Sequence, residues 1–292
     1  MVLYGAVEMG GTKTDWAVGS SYEDMSDPQR IETSDPETTL GRITDALAEH
    51  DIAAVGVASF GPLDLDRASM SYGSLLTTPK PGWTGAAVRQ RLVETLGVPV
   101  TIDTDVNGSA LGEGRWGAAK GMDNYVYVTV GTGIGAGIIV NGKTITGKQH
   151  PEMGHITVNR LEGDRRTGSC PYHGDCLEGM ASGPALESRF GRPESWASND
   201  QITTLATHYV AQGMLNLVYT VAPERIIVGG GVTQLPGFHD RLRNRLGQLI
   251  AGYPSEPDLD LLISPPGLGD RSGLAGAIVL AAEASAESQW AR

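Results

Sequence analysis

Two hydrophobic periodicities alternate along this chain, and glycine marks most of the joints between them. Apolar β-type runs at 4–7 and 14–18 flank Met9-Gly10-Gly11-Thr12-Lys13, which predicts a hairpin closed by a glycine turn. Asp35 followed by Pro36 is a helix start, and Leu40, Ile43 and Leu47 then recur at helical spacing. Residues 52–58 read as a buried strand. Val88, Leu92 and Leu96 mark a second helix stopped by Gly97 and Pro99, and 100–102 is the next strand.

From Tyr125 the opening plan returns. A strand at 125–130 runs into Gly131-Thr132-Gly133-Ile134-Gly135 and then into a strand at 136–140, an internal repeat of pattern more than of identity. A loop-rich stretch follows to about Gly179, then a helix capped near Ser182-Gly183-Pro184. The next helix is long, with the stripe Ile202, Leu205, Tyr209, Gly213, Met214 and Leu217. A strand at 226–228 leads into Gly229-Gly230-Gly231, a helix at 238–250 and a last apolar helix around 274–281. Strands alternating with helices in two rounds predict an α/β protein. At 292 residues the chain is long enough for two domains.

Composition narrows the function classes. Hydrophobic residues are 40% and charged residues 19%, which suits an ordinary globular chain, and no apolar run is long enough for a membrane span. The first residues enter a strand pattern without the basic and apolar regions of a secretory leader, so a cytoplasmic location is expected. A net charge of −12 argues against nucleic acid as a partner. Such a chain must hold a phosphate through backbone N–H groups and a metal cation.

Two familiar phosphate motifs match by letters only. Gly137 to Thr144 fits the P-loop pattern, and Gly131 to Ala136 fits the dinucleotide fingerprint with alanine last. Both motifs need a helix after the loop. Here β-branched residues and an Asn141-Gly142 turn follow instead, so both are rejected. A Gly-Gly-Thr or Gly-Thr-Gly turn between strands is an ordinary hairpin turn, or a place where backbone N–H groups and a threonine hydroxyl meet an anion. Asp105 stands just before a helix predicted from about Val106. It reads as a helix cap, as a carboxylate base, or as both.

Taken together these tracts resemble the ROK sugar kinases, which share the actin-like, hexokinase-like ATPase fold of two α/β domains with a cleft between them. The resemblance covers nearly the whole chain. It makes Glu8-Met9-Gly10-Gly11-Thr12-Lys13 the first phosphate loop, Gly131, Thr132 and Gly133 the second, and Gly229, Gly230 and Gly231 the adenosine turn. It places domains at 1–108 and 109–272, with a helix at 273–292 packing back on the first. In Asp103-Thr104-Asp105-Val106-Asn107 it makes Asp105 the base that activates a sugar hydroxyl. Phosphoryl transfer is mostly positioning and charge stabilisation, and a carboxylate base fits what remains. ATP with Mg2+ is the implied donor, with Glu8 as a residue that orients the hydrated metal.

A second constellation lies between Glu152 and Glu178. His155, Cys170, His173 and Cys176 are the ligand types of a closed tetrahedral zinc site, and they use both cysteines of the chain. Cys170-x-x-His173-x-x-Cys176 puts histidine where the family pattern has cysteine. By resemblance Glu152, His155, Glu178, Thr104 and Gly61 line the sugar site beside Asp105. Glu152 and His155 can converge only if the chain turns at Gly154. The family's glucokinases typically carry asparagine where this chain has Thr104. The tracts around Trp83, Asp105 and Tyr172 are instead similar to its bacterial fructokinases, so fructose is the expected acceptor, with glucose or mannose as the alternative. A homodimer is expected by the same resemblance. The family also contains sugar-responsive repressors, but only seven residues precede Glu8 here, and a sugar sensor without activity stays a remote alternative.

Overall fold

The computed structural model describes residues 2–253, 255 and 257–290. It divides into two compact units, one of Met1–Gly121, Thr144–Pro151 and Gly267–Arg292, the other of Met122–Lys143 and Glu152–Pro266.

The first unit is built on a five-stranded sheet. Strands β1 (Tyr4–Met9) and β2 (Lys13–Gly19) form the expected antiparallel hairpin, and β3 (Gln29–Glu32) adds to its edge. After helix α1 (Pro36–Ala48), β4 (Ala54–Ser59) pairs parallel with β1. Helix α2 (Val88–Leu96) then leads to β5 (Val100–Thr104), giving the order β3-β2-β1-β4-β5. Every residue of β4 is buried, as expected for a central strand covered on both faces. Asp35 caps α1, its side chain accepting the Thr38 N–H at 2.9 Å. Gly97, in the left-handed region at φ 67°, closes α2.

The second unit repeats the plan. Strands β6 (Tyr125–Val130) and β7 (Ile134–Val140) are the antiparallel hairpin and β8 (Lys143–Thr144) its edge. Asn141 and Gly142 both have positive φ, which the two-residue turn before β8 demands. Three helices follow: α4 (Leu177–Ala181), α5 (Gly183–Phe190) and α6 (Asp200–Val221). Strand β9 (Arg225–Gly229) pairs parallel with β6; after helices α7 (Phe238–Ile250) and α8 (Leu259–Leu262), β10 (Ile263–Ser264) pairs parallel with β9. The order β10-β9-β6-β7-β8 mirrors the first sheet strand for strand. The repeat seen in the hydrophobic pattern is therefore a repeat of topology.

Helix α3 (Asp105–Arg115) stays with the first unit, so the chain passes to the second at Met122 and not at 109. The reason is its packing against the last helix, α9 (Ser272–Trp290), which also covers β1 and β4. A Cβ on Gly276 would lie 1.7 Å from the Gly108 carbonyl oxygen, and one on Gly56 of β4 1.9 Å from that of Ala277. Only glycine permits backbones to meet at that range. Among the described residues no helix is long and apolar enough to cross a membrane.

Candidate active site

The residues singled out in the sequence fall in both units. In the first, the chain leaves β1 at Met9 and turns through Gly10, Gly11 and Thr12 into Lys13. The Gly10 N–H donates to the Lys13 carbonyl at 2.8 Å, closing the turn. Thr33 braces it from beside β3: its hydroxyl donates to the Gly10 carbonyl at 2.9 Å and its N–H to the Thr12 carbonyl at 3.0 Å. Gly11 and Thr12 remain exposed, with their backbone open to an incoming anion.

Glu8, near the end of β1, is half-buried, and its Oε2, itself buried, has no hydrogen-bond partner among the described residues. Burial first, then the negative charges of Asp105 and Asp15, raise its carboxyl to about 7, with Lys13 opposing. An orphaned buried carboxylate oxygen beside a phosphate-type turn fits a residue that faces a hydrated cation.

The segment at the end of β5 is tightly specified. Thr104 is the N-cap of α3, its Oγ1 accepting the Asn107 N–H at 3.2 Å. Asp105, expected as a possible cap, is instead the first helical residue, with Oδ1 accepting its neighbour's Val106 N–H at 2.9 Å. A carboxylate in the first turn of a helix is stabilised as the anion by the helix dipole. Asp103 fixes the segment from behind: one oxygen accepts both the Thr104 N–H and the Asn107 side-chain amide, each at 2.7 Å. Burial raises the Asp103 carboxyl, and these two bonds oppose the rise. Gly61 lies in the loop after β4, joined to Pro62 by a cis peptide bond.

In the second unit two glycine turns adjoin. The Gly131 N–H donates to the Gly133 carbonyl at 2.9 Å, and the Gly131 carbonyl accepts the Gly183 N–H at the start of α5 at 2.7 Å. A Cβ on Gly131 would be 3.8 Å from the Gly231 nitrogen. Gly230 has φ 97°, and a Cβ there would be 2.5 Å from the Val130 carbonyl oxygen, so glycine is obligatory at this joint. Gly229 ends β9, and Gly231 opens a short 3-10 turn.

The cysteine and histidine cluster forms as the spacing suggested. One ligand atom from each of His155, Cys170, His173 and Cys176 lies within 4.8 Å of the others. The Cys170 sulfur is 3.7 Å from His155 Nδ1 and 3.8 Å from His173 Nδ1, and the Cys176 sulfur is 3.5 Å from His155 Nδ1. Ligands around tetrahedral zinc stand about 3.4–3.8 Å apart, so the donor set fits that ion. Binding through Nδ1 leaves the Nε2 edge of His155 for another partner.

This cluster connects to the second glycine turn. Cys176 caps α4 through its sulfur, at 3.5 Å from the Gly179 N–H. Two residues on, Glu178 accepts the Ile134 N–H at 2.9 Å, just past Gly133. Glu178 is thus a strut between the cluster and the turn, a role its spacing in the sequence did not signal. The expected turn at Gly154 is present: residues Met153–His155 form a 3-10 helix, which lets Glu152 and His155 share surroundings. Burial raises the Glu152 carboxyl, with His155 opposing and Glu178 adding to the rise.

A family model described as the ROK family matches residues 4–284. The chain belongs to the ROK family. It is 42% identical to a fructokinase of Zymomonas mobilis over 96% of each chain, and 39% identical to a fructokinase of Pediococcus pentosaceus, covering 96% of this chain and 98% of that one. Among solved structures, a ROK family glucokinase from Streptomyces griseus, in complex with glucose and AMPPNP, superposes with a TM-score of 0.79 at 26% identity, covering 96% and 99% of the two chains. The actin-like ATPase fold of ROK hexokinases is therefore the fold of this chain, as the glycine turns and doubled topology implied.

Several residues that build this ROK site were not legible in the sequence. Thr33 braces the first turn from just past a strand, Gln29–Glu32, whose short polar pattern gave no apolar alternation. Glu113 is fully buried and accepts four bonds, from the N–H groups of Ala118, Gly267 and Leu268 and the Ser272 hydroxyl. Three of those four partners lie more than 150 positions away in sequence, so no local pattern announces them.

Proposed function

We propose that this protein is an ATP-dependent fructokinase that phosphorylates the terminal hydroxyl of D-fructose, with glucose and mannose as poorer acceptors. The observation that carries the reading is the near full-length identity, 42% and 39%, to ROK relatives that bear the name fructokinase. That identity runs through a chain holding two phosphate-type turns and a helix-start aspartate.

In this reading the backbone N–H groups of Gly10, Gly11 and Thr12, with Lys13, and those of Gly131, Thr132 and Gly133 receive the phosphates of MgATP. Gly229, Gly230 and Gly231 form the adenosine turn. Asp105 accepts the proton of the attacking hydroxyl, and Thr104 and Asp103 hold it in place through the helix start. Glu152, His155, Glu178, Thr104 and Gly61 recognise the remaining sugar hydroxyls. Carboxylates suit that task because each accepts several hydrogen bonds. Glu178 offers its Oε1, since Oε2 is engaged by Ile134.

His155, Cys170, His173 and Cys176 would hold a zinc ion in a structural role, and the ion would fix the loop that carries His155 and Glu178. Glu8 is the residue that would face a hydrated Mg2+, which when bound would supply charge neutralisation to the phosphates. The deciding experiment is steady-state phosphorylation of a hexose panel with MgATP. kcat/KM for fructose should exceed that for glucose and mannose by at least about 10-fold. Equal or higher values for glucose or mannose would overturn the sugar assignment and leave the kinase assignment standing.

A further inference from the structure

A row of charged side chains borders the first phosphate-type turn. Strand register sets Glu8, Asp15 and Arg30 side by side across β1, β2 and β3, and Lys13 and Glu32 form the next pair across β2 and β3. Residues two apart in a strand share a face, so Lys13 and Asp15 stand on the same side. Thr14 between them is turned into the core, where its hydroxyl meets that of Thr33 at 2.8 Å. Two cations and three carboxylates therefore share one face where the chain leaves the turn.

The two cations are held differently. The Asp15 side chain is only 10% exposed, and Arg30 engages both of its oxygens: Nε donates to Oδ1 at 2.6 Å and Nη2 to Oδ2 at 2.9 Å. A planar guanidinium matches a carboxylate best in this two-point geometry. Lys13 stands 3.5 Å from Asp15 Oδ2, too far for a strong hydrogen bond, and its side chain is 55% exposed. Glu32, its partner in register, is exposed, so water screens its pull.

This arrangement is a competition for one carboxylate. With Asp15 saturated by Arg30, Lys13 is kept near the turn without being fixed, and its ammonium can move onto a phosphate. A largely buried carboxylate without Arg30 would still need a cation, and closing the 3.5 Å gap to Lys13 would supply one. Lys13 would then be withheld from the phosphates.

We propose that Arg30 is a positioning residue for nucleotide binding, occupying Asp15 so that Lys13 stays available to the phosphates at the first turn. This role rests on the assignment of that turn to MgATP, and it requires no contact between Arg30 and the nucleotide. A guanidinium that touched the phosphates itself would have to release Asp15.

The test titrates the Mg2+ complex of a non-hydrolysable ATP analogue into the full chain in a calorimeter, with fructose present. Arg30→Gln should weaken binding by about 5-fold and raise KM for MgATP by a similar factor, with KM for fructose unchanged. On a Lys13→Gln background the same change should have no further effect, because Arg30 acts through Lys13. Adding Asp15→Asn to Arg30→Gln should return the affinity to within about 2-fold of the wild type, since no carboxylate then competes for Lys13. Arg30→Lys, which keeps the charge and loses the fork, should weaken binding by less and serves if the glutamine variant does not fold. Undiminished binding in both Arg30 variants would overturn the role, as would a loss that persists in full without Lys13 or that Asp15→Asn leaves unrelieved. No saturable binding to the wild type would instead overturn the assignment of the turn to MgATP, and the role of Arg30 with it.

Discussion

The Glu8 carboxylate occupies the space that a side chain at residue 273 would take: a Cβ built on Gly273 would stand 2.3 Å from Glu8 Cδ. Gly273 lies in the first turn of α9, so the C-terminal helix shapes the pocket of an acid at the end of β1. Gly273→Ala should push Glu8 off its position. Lower turnover with an intact fold, by circular dichroism, is the expected outcome.

Glu8 also predicts a pH dependence. Its folded value of about 7 lies above the ordinary glutamate value of 4.5, so folding favours the protonated acid. Stability from this group is complete below about pH 4.5 and is lost as pH rises through 7, amounting to about 3 kcal/mol. Glu8→Gln should therefore be more stable than the wild type at pH 8, in the absence of divalent metal, and no more stable near pH 4.5. Parallel Tm profiles for the two proteins across that range would contradict the assignment.

Glu113 is the tie between α3 and the segment entering α9. Its Oε2 accepts the Ala118 and Gly267 N–H groups at 2.7 and 2.9 Å, and its Oε1 accepts from Leu268 and Ser272 at 3.0 and 2.6 Å. Glu113→Gln turns one acceptor oxygen into a donor facing other donors. The loss should be about 3 kcal/mol or more, read from urea denaturation. A loss below about 1 kcal/mol would show that the tie is dispensable.

Metal removal should be felt at a glycine turn that holds no ligand. Cys176 caps α4, and Glu178 on that helix accepts the Ile134 N–H. We expect about one zinc per chain, and chelation should speed hydrogen exchange at the Ile134 amide together with the 155–178 loop. Glu178→Ala should speed exchange at Ile134 with zinc retained. Exchange at Ile134 that ignores both changes would break the proposed strut.

Asp105→Asn tests the base. The Val106 N–H can still bond a side-chain oxygen at 105, and Thr104 remains the cap, so the fold should persist. Turnover should fall by at least about 100-fold, with sugar affinity largely kept. Near-normal turnover would remove Asp105 from the role.

What the sequence disclosed and what it hid divide by range of interaction. The hairpins, the Asp35 cap, the Ser182 cap and the metal-type cluster rest on residues close together in sequence, and the structure has them as expected. The two-round pattern also foretold the doubled sheet. Glu113, Thr33 and the Glu178 strut depend on partners brought together only by folding, and they were invisible. Thr104 was read as a sugar contact and for the amide it lacks, while its hydroxyl oxygen also serves as a helix cap. A cap and a sugar contact call for the same residue types, and one chain of letters does not separate them.

Thr104 can separate them by mutation. Thr104→Ala removes the acceptor for the Asn107 N–H and should cost about 1 kcal/mol, with the preference for fructose over glucose changed by less than about 3-fold. Thr104→Asn keeps a good N-cap and adds an amide of the kind the family's glucokinases carry there. Position 104 is buried, so that amide can gain nothing from water and must bond the backbone or the sugar. Unfolding should then stay near the wild-type midpoint while the fructose-to-glucose ratio of kcat/KM falls by at least about 10-fold. An unchanged ratio with an intact cap would mean that residue 104 serves only the helix, and that the preference for fructose is set elsewhere in the site.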